Sequence, residues 1–594
     1  MQFLKNILAS FIGVILALVI IVIFFIIFAL TTSRQPEPYI RDNSVLTIKL
    51  SGNIPDRVSL NPLDEYFNKS LKNVVSLESL RNNLKKAASD KRIKGIWLKA
   101  NDLNASWATL EEVRNDLLNF KKKSGKFVYC STNDIGFNEK GYFVATASDS
   151  IYSPPESSFE FDGFFIQTPF FQGLFQKLGI KPEISRQGKY KSAVEPFLRK
   201  DYSQPNKEQL TALLDNTTNT YLEAVSQWSG KSVDQLNEAL NKSPHLSAQF
   251  ALQEGMLTRL IYPAKVKNVI KKQLGIGKDE NLHTVSLDRY AKVSLKSADI
   301  SLPNTKNKIA IIYAEGEIVP GIVHSPFDQQ KYITVSAFRK ELKEVTDDKN
   351  VKALVVRVNS PGGSGSASDL IWHMLRKTKE KMPVIASMGS VAASGGYYIS
   401  MAADTIVAMP STITGSIGVF GTKFNMKDFF NDKLGITFDV VRSHKNADWL
   451  VSSKPFTNTE AKAFQRNIDN FYKNFVNKVS ISRYLKKQYV DSIGEGHIWT
   501  GQAGIKNHLV DELGGLQKAI DIAAEKAGIQ NYRIVTYPRP KGLLSYFLNT
   551  AQTQVFSFFE PKIGNQISIN RIKKYIKTNP RQIEAYLPFK IEIQ

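Results

Sequence analysis

The sequence predicts an α/β fold built from two tandem βαβ domains, related by internal duplication and placed behind an apolar N-terminal segment. Two observations carry this expectation. Residues 351–419 read V-K-A-L-V-V-R-V-N-S-P-G-G-S, then V-I-A-S-M-G-S-V-A-A-S-G-G-Y-Y-I-S, then P-S-T-I-T-G-S-I-G-V. An earlier stretch from Ile93 reads I-K-G-I-W-L-K-A-N-D, then G-Y-F-V-A-T-A-S-D-S-I-Y-S-P-P, and setting Gly396-Tyr397 on Gly141-Tyr142 brings Asp404 onto Asp149. Second, short apolar strands alternate with amphipathic helices in each copy, which argues for parallel βαβ units. A chain of 594 residues is also too long for one core. Its 42% hydrophobic and 22% charged content is that of an ordinary globular protein rather than a disordered one.

After a short flank, 1–6, residues 7–30 carry no charge and are overwhelmingly apolar. As a helix this stretch would be about 36 Å long, enough to cross a hydrocarbon core of about 30 Å. The apolar run exceeds that of a cleavable signal peptide, and Phe28-Ala29-Leu30-Thr31 offers no small-x-small cleavage site, so an uncleaved anchor through the lipid bilayer is expected. Lys5 on one side and Arg34 and Arg41 on the other give little positive-inside bias. Residues 31–44 read as a linker around Gln35-Pro36-Glu37-Pro38.

The first half, 45–284, opens on the alternating strand Val45-Leu46-Thr47-Ile48-Lys49-Leu50, and the second, 308–545, on Lys308-Ile309-Ala310-Ile311-Ile312-Tyr313. Residues 285–307 show little apolar periodicity and read as a connecting segment. Further on, Leu178-Gly179-Ile180 matches Leu434-Gly435-Ile436, so the repeat covers most of both halves. Residues 546–594 have no counterpart and hold a basic cluster of Arg571, Lys573, Lys574, Lys577 and Arg581.

The formal charge is +23, which favours anionic partners, although a solvated surface accounts for the same surplus. No zinc finger, helix–turn–helix or RNP signature accompanies it, so nucleic acid is not an expected partner. A single cysteine, Cys130, excludes an intrachain disulfide and any Cys/His metal cluster; after Phe127-Val128-Tyr129 it reads as a buried structural residue.

A nucleophile is sought where the copies differ. Under the alignment Ser394 falls on Glu139, so only the later copy keeps a serine in its glycine-rich loop. Gly395 and Gly396 after Ser394 would let the backbone approach a substrate carbonyl, and a following helix would aim N–H groups at it. Asn359-Ser360-Pro361-Gly362-Gly363 ends an apolar strand, where a second set of free N–H groups would face the same point. Ser390, Ser364 and Ser366 suit turn or cap roles. Ala392 replaces the first glycine of the G-x-S-x-G elbow, and the seven histidines show no triad spacing. A lysine base must be desolvated or near positive charge to be neutral. Gly188-Lys189-Tyr190-Lys191-Ser192-Ala193-Val194-Glu195-Pro196-Phe197 offers Lys189 and Lys191, and sequence alone does not choose between them.

Taken together, R-V-N-S-P-G-G-S, A-A-S-G-G, P-S-T-I-T-G-S-I-G, Y-K-S-A-V-E-P-F and I-W-T-G-Q-A resemble the long, duplicated form of the bacterial signal peptide peptidase A family, also called protease IV. The resemblance runs from the anchor to about Gly515 and implies a crotonase/Clp-protease-like fold in each half. It implies a serine endopeptidase with a Ser/Lys dyad: Ser394 as nucleophile, Lys191 as general base, Ser416 orienting the lysine, and the N–H groups of Gly363 and Gly395 as oxyanion hole. It implies no metal or cofactor, remnant signal peptides as substrates, and a bowl-like homo-oligomer, a tetramer. It also implies a single-pass protein of the cytoplasmic (inner) membrane with its bulk extracytoplasmic, on the periplasmic side. Either way of aligning the lysine segment on the second half puts Ala447 or Leu450 opposite Lys191, so the second copy has no lysine there. Ser390 stands where the family usually has glycine and Gly365 where it usually has valine, which bears on the substrate pocket. The competing readings are a crotonase-type acyl-CoA enzyme, which shares the two-N–H oxyanion hole, and a non-catalytic membrane scaffold built on the anchor and tail.

Overall fold

The computed structural model describes residues 37–58, 74–132, 135–242, 246–321, 331–539 and 584–585, with isolated helical positions among residues 6–20. Apart from those positions and residues 584–585, the expected span 7–30 and the basic tail 546–594 lie outside the described residues. Among the described residues no helix is long and apolar enough to cross a membrane.

Each half is organised on a parallel path of six corresponding strands, to which the second half's sheet adds Ile413–Gly415, parallel to Val384–Ala393, and Ile498–Thr500, antiparallel to Ile413–Gly415. In the first half the order is Thr284–Ser286, Ser44–Gly52, Ile93–Leu103, Phe127–Ser131, Ser150–Ser153, Arg259–Leu260, every pair parallel. In the second it is Arg533–Tyr537, Lys308–Glu315, Val351–Ser360, Val384–Ala393, Thr405–Ala408, Glu512–Leu513, again parallel. The apolar runs predict this, since strands covered on both faces need no polar alternation. Val351–Ser360 is buried over almost its whole length.

The crossover helices start where side chains cap them. Ser106 accepts from the Thr109 amide to open Trp107–Ser124, and Gly125 closes that helix at φ 66°. Ser364 does the same for Gly365–Lys379. The segment read as a connector, 285–307, is instead folded onto the first half. Thr284–Ser286 joins its sheet, and Val285, Leu287, Tyr290, Val293 and Ala298 are buried. The Lys86 ammonium donates to the carbonyls of Tyr290 and Val293 there, which the residue pattern alone does not announce.

Among the contacts that join the halves are a strand pairing and a buried ion network. The strand Lys181–Gln187 of the first half pairs antiparallel with Val419–Asn425 of the second, from Lys181 opposite Asn425 to Gln187 opposite Val419. Elsewhere the wholly buried Arg357 guanidinium reaches across to Asp56 at 2.7 Å and Glu112 at 2.5 Å, and donates to Ser387 Oγ and the Met388 carbonyl at 3.1 Å. Glu112 also accepts from Arg81 and from the Leu516 amide, and against its burial the Arg357 and Arg81 charges, with that amide, hold its carboxyl below the usual range. Breaking one partner of such a network leaves a buried charge uncompensated, typically a loss of about 3–5 kcal/mol.

Candidate active site

At the end of Val384–Ala393 the chain turns sharply through Ser394 and enters the helix Gly395–Ser400. Ser394 has φ 55° and ψ −113°, a strained conformation for a residue with a Cβ. Its amide donates to the Gly415 carbonyl at 2.8 Å, which pins the turn to the neighbouring strand. The first amides of a helix have no intrahelical acceptor, so Gly395 stands at a position with an N–H to offer. Gly396 is required for packing: a Cβ there would lie 2.4 Å from the Ser360 carbonyl oxygen.

Lys191 arrives from the first half on the turn that follows Lys181–Gln187. Its Nζ lies 2.9 Å from Ser394 Oγ and 2.9 Å from Ser416 Oγ, with the Ser416 carbonyl at 3.3 Å. All three side chains are buried, Lys191 to 1% exposure. Burial alone lowers the Lys191 amine to about 7. Desolvation disfavours the ammonium, and a neutral amine beside a hydroxyl is a proton acceptor. Ser416 is itself held at φ 51°, its amide donating to the His497 carbonyl at 2.7 Å.

Gly363 has φ 146°, and a Cβ there would meet the Ile318 carbonyl oxygen at 2.1 Å. It begins the short strand Gly363–Ser364, which pairs with Ile318 on one side and with Glu584–Ala585 on the other. Glu584–Ala585 runs antiparallel both to Gly363–Ser364 and to Phe420, placing a strand of backbone between these two edges with Ala585 opposite Gly363.

Two stretches, residues 120–277 and 376–530, match the sequence profile of Peptidase family S49. The chain belongs to that family. The "Serine protease SPPA, chloroplastic" of Arabidopsis thaliana is 36% identical over 84% of this chain and 72% of its own. "Protease 4" of Salmonella typhi is 32% identical over 78% of this chain and 74% of its own. "Putative signal peptide peptidase SppA" of Enterococcus faecium is 30% identical over 39% of this chain and 67% of its own. The present S49 chain is therefore a serine protease of the Protease 4 and SPPA type.

The other residues singled out in the sequence lie elsewhere. Lys189 is exposed and forms an ion pair with Glu495, 3.4 Å away. Ser364 caps its helix and Ser366 contacts Ser364. Ser390 Oγ sits 2.5 Å from Ser106 Oγ, a contact between the halves. Gly365 leaves room for the Phe471 ring, which a Cβ would meet at 2.5 Å. Cys130 is buried and its thiol is pushed up to about 12 by burial.

Sequence reasoning missed the cradle around Lys191. A Cβ on Gly496 would stand 2.6 Å from the Lys191 amide nitrogen, and one on Gly418 would meet Lys191 Cδ at 3.1 Å. Gln209 donates to Ser192 Oγ at 2.9 Å and accepts from the Ile498 amide at 3.1 Å, tying the lysine turn to the second half. Buried Glu195 accepts from the Ser203 amide and from Asn206, fixing the turn from its other side. The glutamate inside Y-K-S-A-V-E-P-F was the available signal for this support.

Proposed function

We propose that the chain is a membrane-anchored endopeptidase working through a Ser394–Lys191 dyad assembled from both halves. The observation that carries the reading is a buried, near-neutral lysine amine 2.9 Å from a hydroxyl on a strained turn. Neutral Lys191 takes the Ser394 Oγ proton as the oxygen attacks a peptide carbonyl. The N–H groups of Gly363 and Gly395 hold the developing oxyanion, a contribution of about 3 kcal/mol for one such donor. Lys191 then gives its proton to the leaving amine, and water hydrolyses the acyl-enzyme through the same base. Ser416 Oγ holds the amine on the line to Ser394.

The substrate enters as an extended strand. Support comes from Glu584–Ala585, whose backbone already runs between Gly363–Ser364 and Phe420. The apolar segment 7–30 would anchor the enzyme, with its body outside the cytoplasmic membrane, beside hydrophobic peptides such as cleaved signal peptides, the substrate class that the Enterococcus relative's name carries.

Hydrolysis of a hydrophobic peptide by the wild type, Ser394→Ala and Lys191→Ala tests the dyad. Loss in both variants is expected. Retained hydrolysis in either one removes the dyad, and an inactive wild type would favour a scaffold.

A further inference from the structure

Burial alone weakens the Lys191 amine, with no charged group shifting it. Whatever keeps water from Nζ therefore sets the strength of the base. Beside the lysine turn lies a void of ≈ 10 Å³, walled by Tyr190, Lys191, Gln209, Ser416, Gly496 and Ile498 among others. That volume is the lower limit for holding one water molecule, so a small outward shift of the wall would admit solvent to the amine.

One wall is the segment 495–498 of the second half, and its backbone reaches both sides of the site. The Glu495 carbonyl accepts from the Tyr190 amide at 2.9 Å, and the His497 carbonyl accepts from the Ser416 amide at 2.7 Å. Between them the Gly496 amide donates to the Ile417 carbonyl at 2.8 Å.

Three aromatic rings follow the same seam. The His497 imidazole stacks on Trp499, with centroids 3.8 Å apart and planes inclined by 14°, and meets Tyr190 of the first half at 4.3 Å and 58°. The Trp499 indole N–H donates to the Ile493 carbonyl at 2.9 Å, which fixes that ring. Trp499 also abuts Gly415, where a Cβ would meet Trp499 Cδ1 at 2.8 Å. Gly415 is the residue whose carbonyl takes the Ser394 amide. The rings thus connect the residue before Lys191 to the residue that pins Ser394.

His497 Nδ1 lies 2.7 Å from the Ile498 carbonyl, which only accepts, so the imidazole carries a proton on Nδ1. Burial and the Lys189 cation hold this ring below its ordinary value, against the Ile498 carbonyl and the Glu208 carboxylate. Glu208, on the helix Gln204–Ser229, accepts from the Tyr190 hydroxyl at 3.3 Å, and Lys189 pairs with Glu495. The ring is therefore neutral over the range in which Lys191 titrates.

We propose that His497 is a positioning residue for the dyad: its imidazole, packed on Tyr190 and Trp499, closes the lysine turn against the second half and keeps the void beside Lys191 dry. This role rests on the Ser394–Lys191 reading and adds to it the group that sets the basicity of the lysine. His497 acts through Tyr190 and its own backbone, not on substrate.

Peptide hydrolysis by the full chain in detergent, followed as kcat/KM from pH 5 to 9, tests this. His497→Ala should let water reach Nζ and raise the acidic limb by about one pH unit. The variant is then about fivefold slower than wild type at pH 7 and within about 1.5-fold at pH 9, with KM unchanged. A merely structural loss would be the same at every pH. His497→Phe keeps a flat ring and should restore the wild-type limb, whereas His497→Gln keeps a donor without the ring and should move with His497→Ala. Tyr190→Leu removes the ring at the other end and should shift the limb likewise, which covers a His497→Ala chain that does not fold. The proposal is overturned if the limb is unmoved in His497→Ala and Tyr190→Leu, if the loss is equal at pH 7 and pH 9, or if Gln rather than Phe preserves the limb. Lys191→Ala in the same series separates the two readings. Hydrolysis retained there removes the dyad and this role with it, while hydrolysis lost there, with an unmoved limb in the His497 variants, removes the positioning role alone.

Discussion

The helix that begins at Gly395 and the one that begins at Glu139 are the same element in two copies, yet only one is armed. In the second half Ser394 precedes the helix at φ 55°, with its hydroxyl on Lys191 Nζ. In the first half the helix starts one position earlier, capped by Asn138 in relaxed extended geometry with its side chain accepting from the Gly141 amide at 2.8 Å, so that Glu139 takes the place of Ser394. Glu139 follows, buried, with its carboxyl pushed up to about 7 by desolvation. The first copy has exchanged a strained turn for a capped helix start and contributes Lys191 instead, the base of the proposed dyad. Strain of this kind costs on the order of 1–3 kcal/mol and persists where the surroundings enforce it. Gly415, Ser360 and the Lys191 contacts do so around Ser394.

Substitutions at the Ser394–Lys191 pair should have the largest effect. Ser394→Ala and Lys191→Ala should each lower kcat/KM for peptide hydrolysis by a factor on the order of 10^4 or more, with far-ultraviolet circular dichroism unchanged. Next comes pH. Lys191 is active when neutral and its folded amine sits at about 7, so log kcat/KM should rise with unit slope up to about pH 7 and then level. A flat profile between pH 5 and 7 would break the link between burial and basicity. Ser416→Ala removes one of two hydroxyls on Nζ and should cost about 10- to 100-fold in kcat, with KM little changed. Gly496→Ala forces a Cβ toward the Lys191 backbone at positive φ, and should lower both kcat and thermal stability, the latter by about 1–3 kcal/mol.

The smallest effect belongs to the unarmed helix start. Glu139→Gln should leave hydrolysis within about twofold of wild type, since Glu139 touches no reacting atom. Its folded pKa is raised, so the wild type loses stability as pH climbs from the ordinary carboxylate range through about 7. The variant should therefore gain more in Tm at pH 8 than at pH 5, and an equal gain at both would place the burial penalty elsewhere.

Much of this was legible in the chain because duplication exposes unequal loss. Glu139 under Ser394, and no lysine under Lys191, point to complementary halves. The βαβ order was equally plain from short, mainly apolar strands such as residues 353–358 alternating with amphipathic helices. What stayed hidden depends on contacts between residues far apart in sequence. Nothing near Lys189 and Lys191 tells which one is buried, because Gly418 and Gly496, which cradle Lys191, lie more than two hundred positions away. The connector 285–307 has too few apolar residues for a visible period, yet Tyr290 packs inward and donates to Asp90 at 3.0 Å. The Arg357 network joins Asp56, Glu112 and Leu516, and no local pattern announces such a meeting.

The central claim is that the serine of one half is activated by the lysine of the other. Labelling with a serine-directed fluorophosphonate, followed by peptide mapping, reads that directly in the wild type and in Lys191→Met. The account predicts label on Ser394 in the wild type, faster as pH rises through about 7, and a rate in Lys191→Met lower by about 10^3-fold or more. Label on a different serine, or undiminished labelling of Ser394 without Lys191, would contradict it.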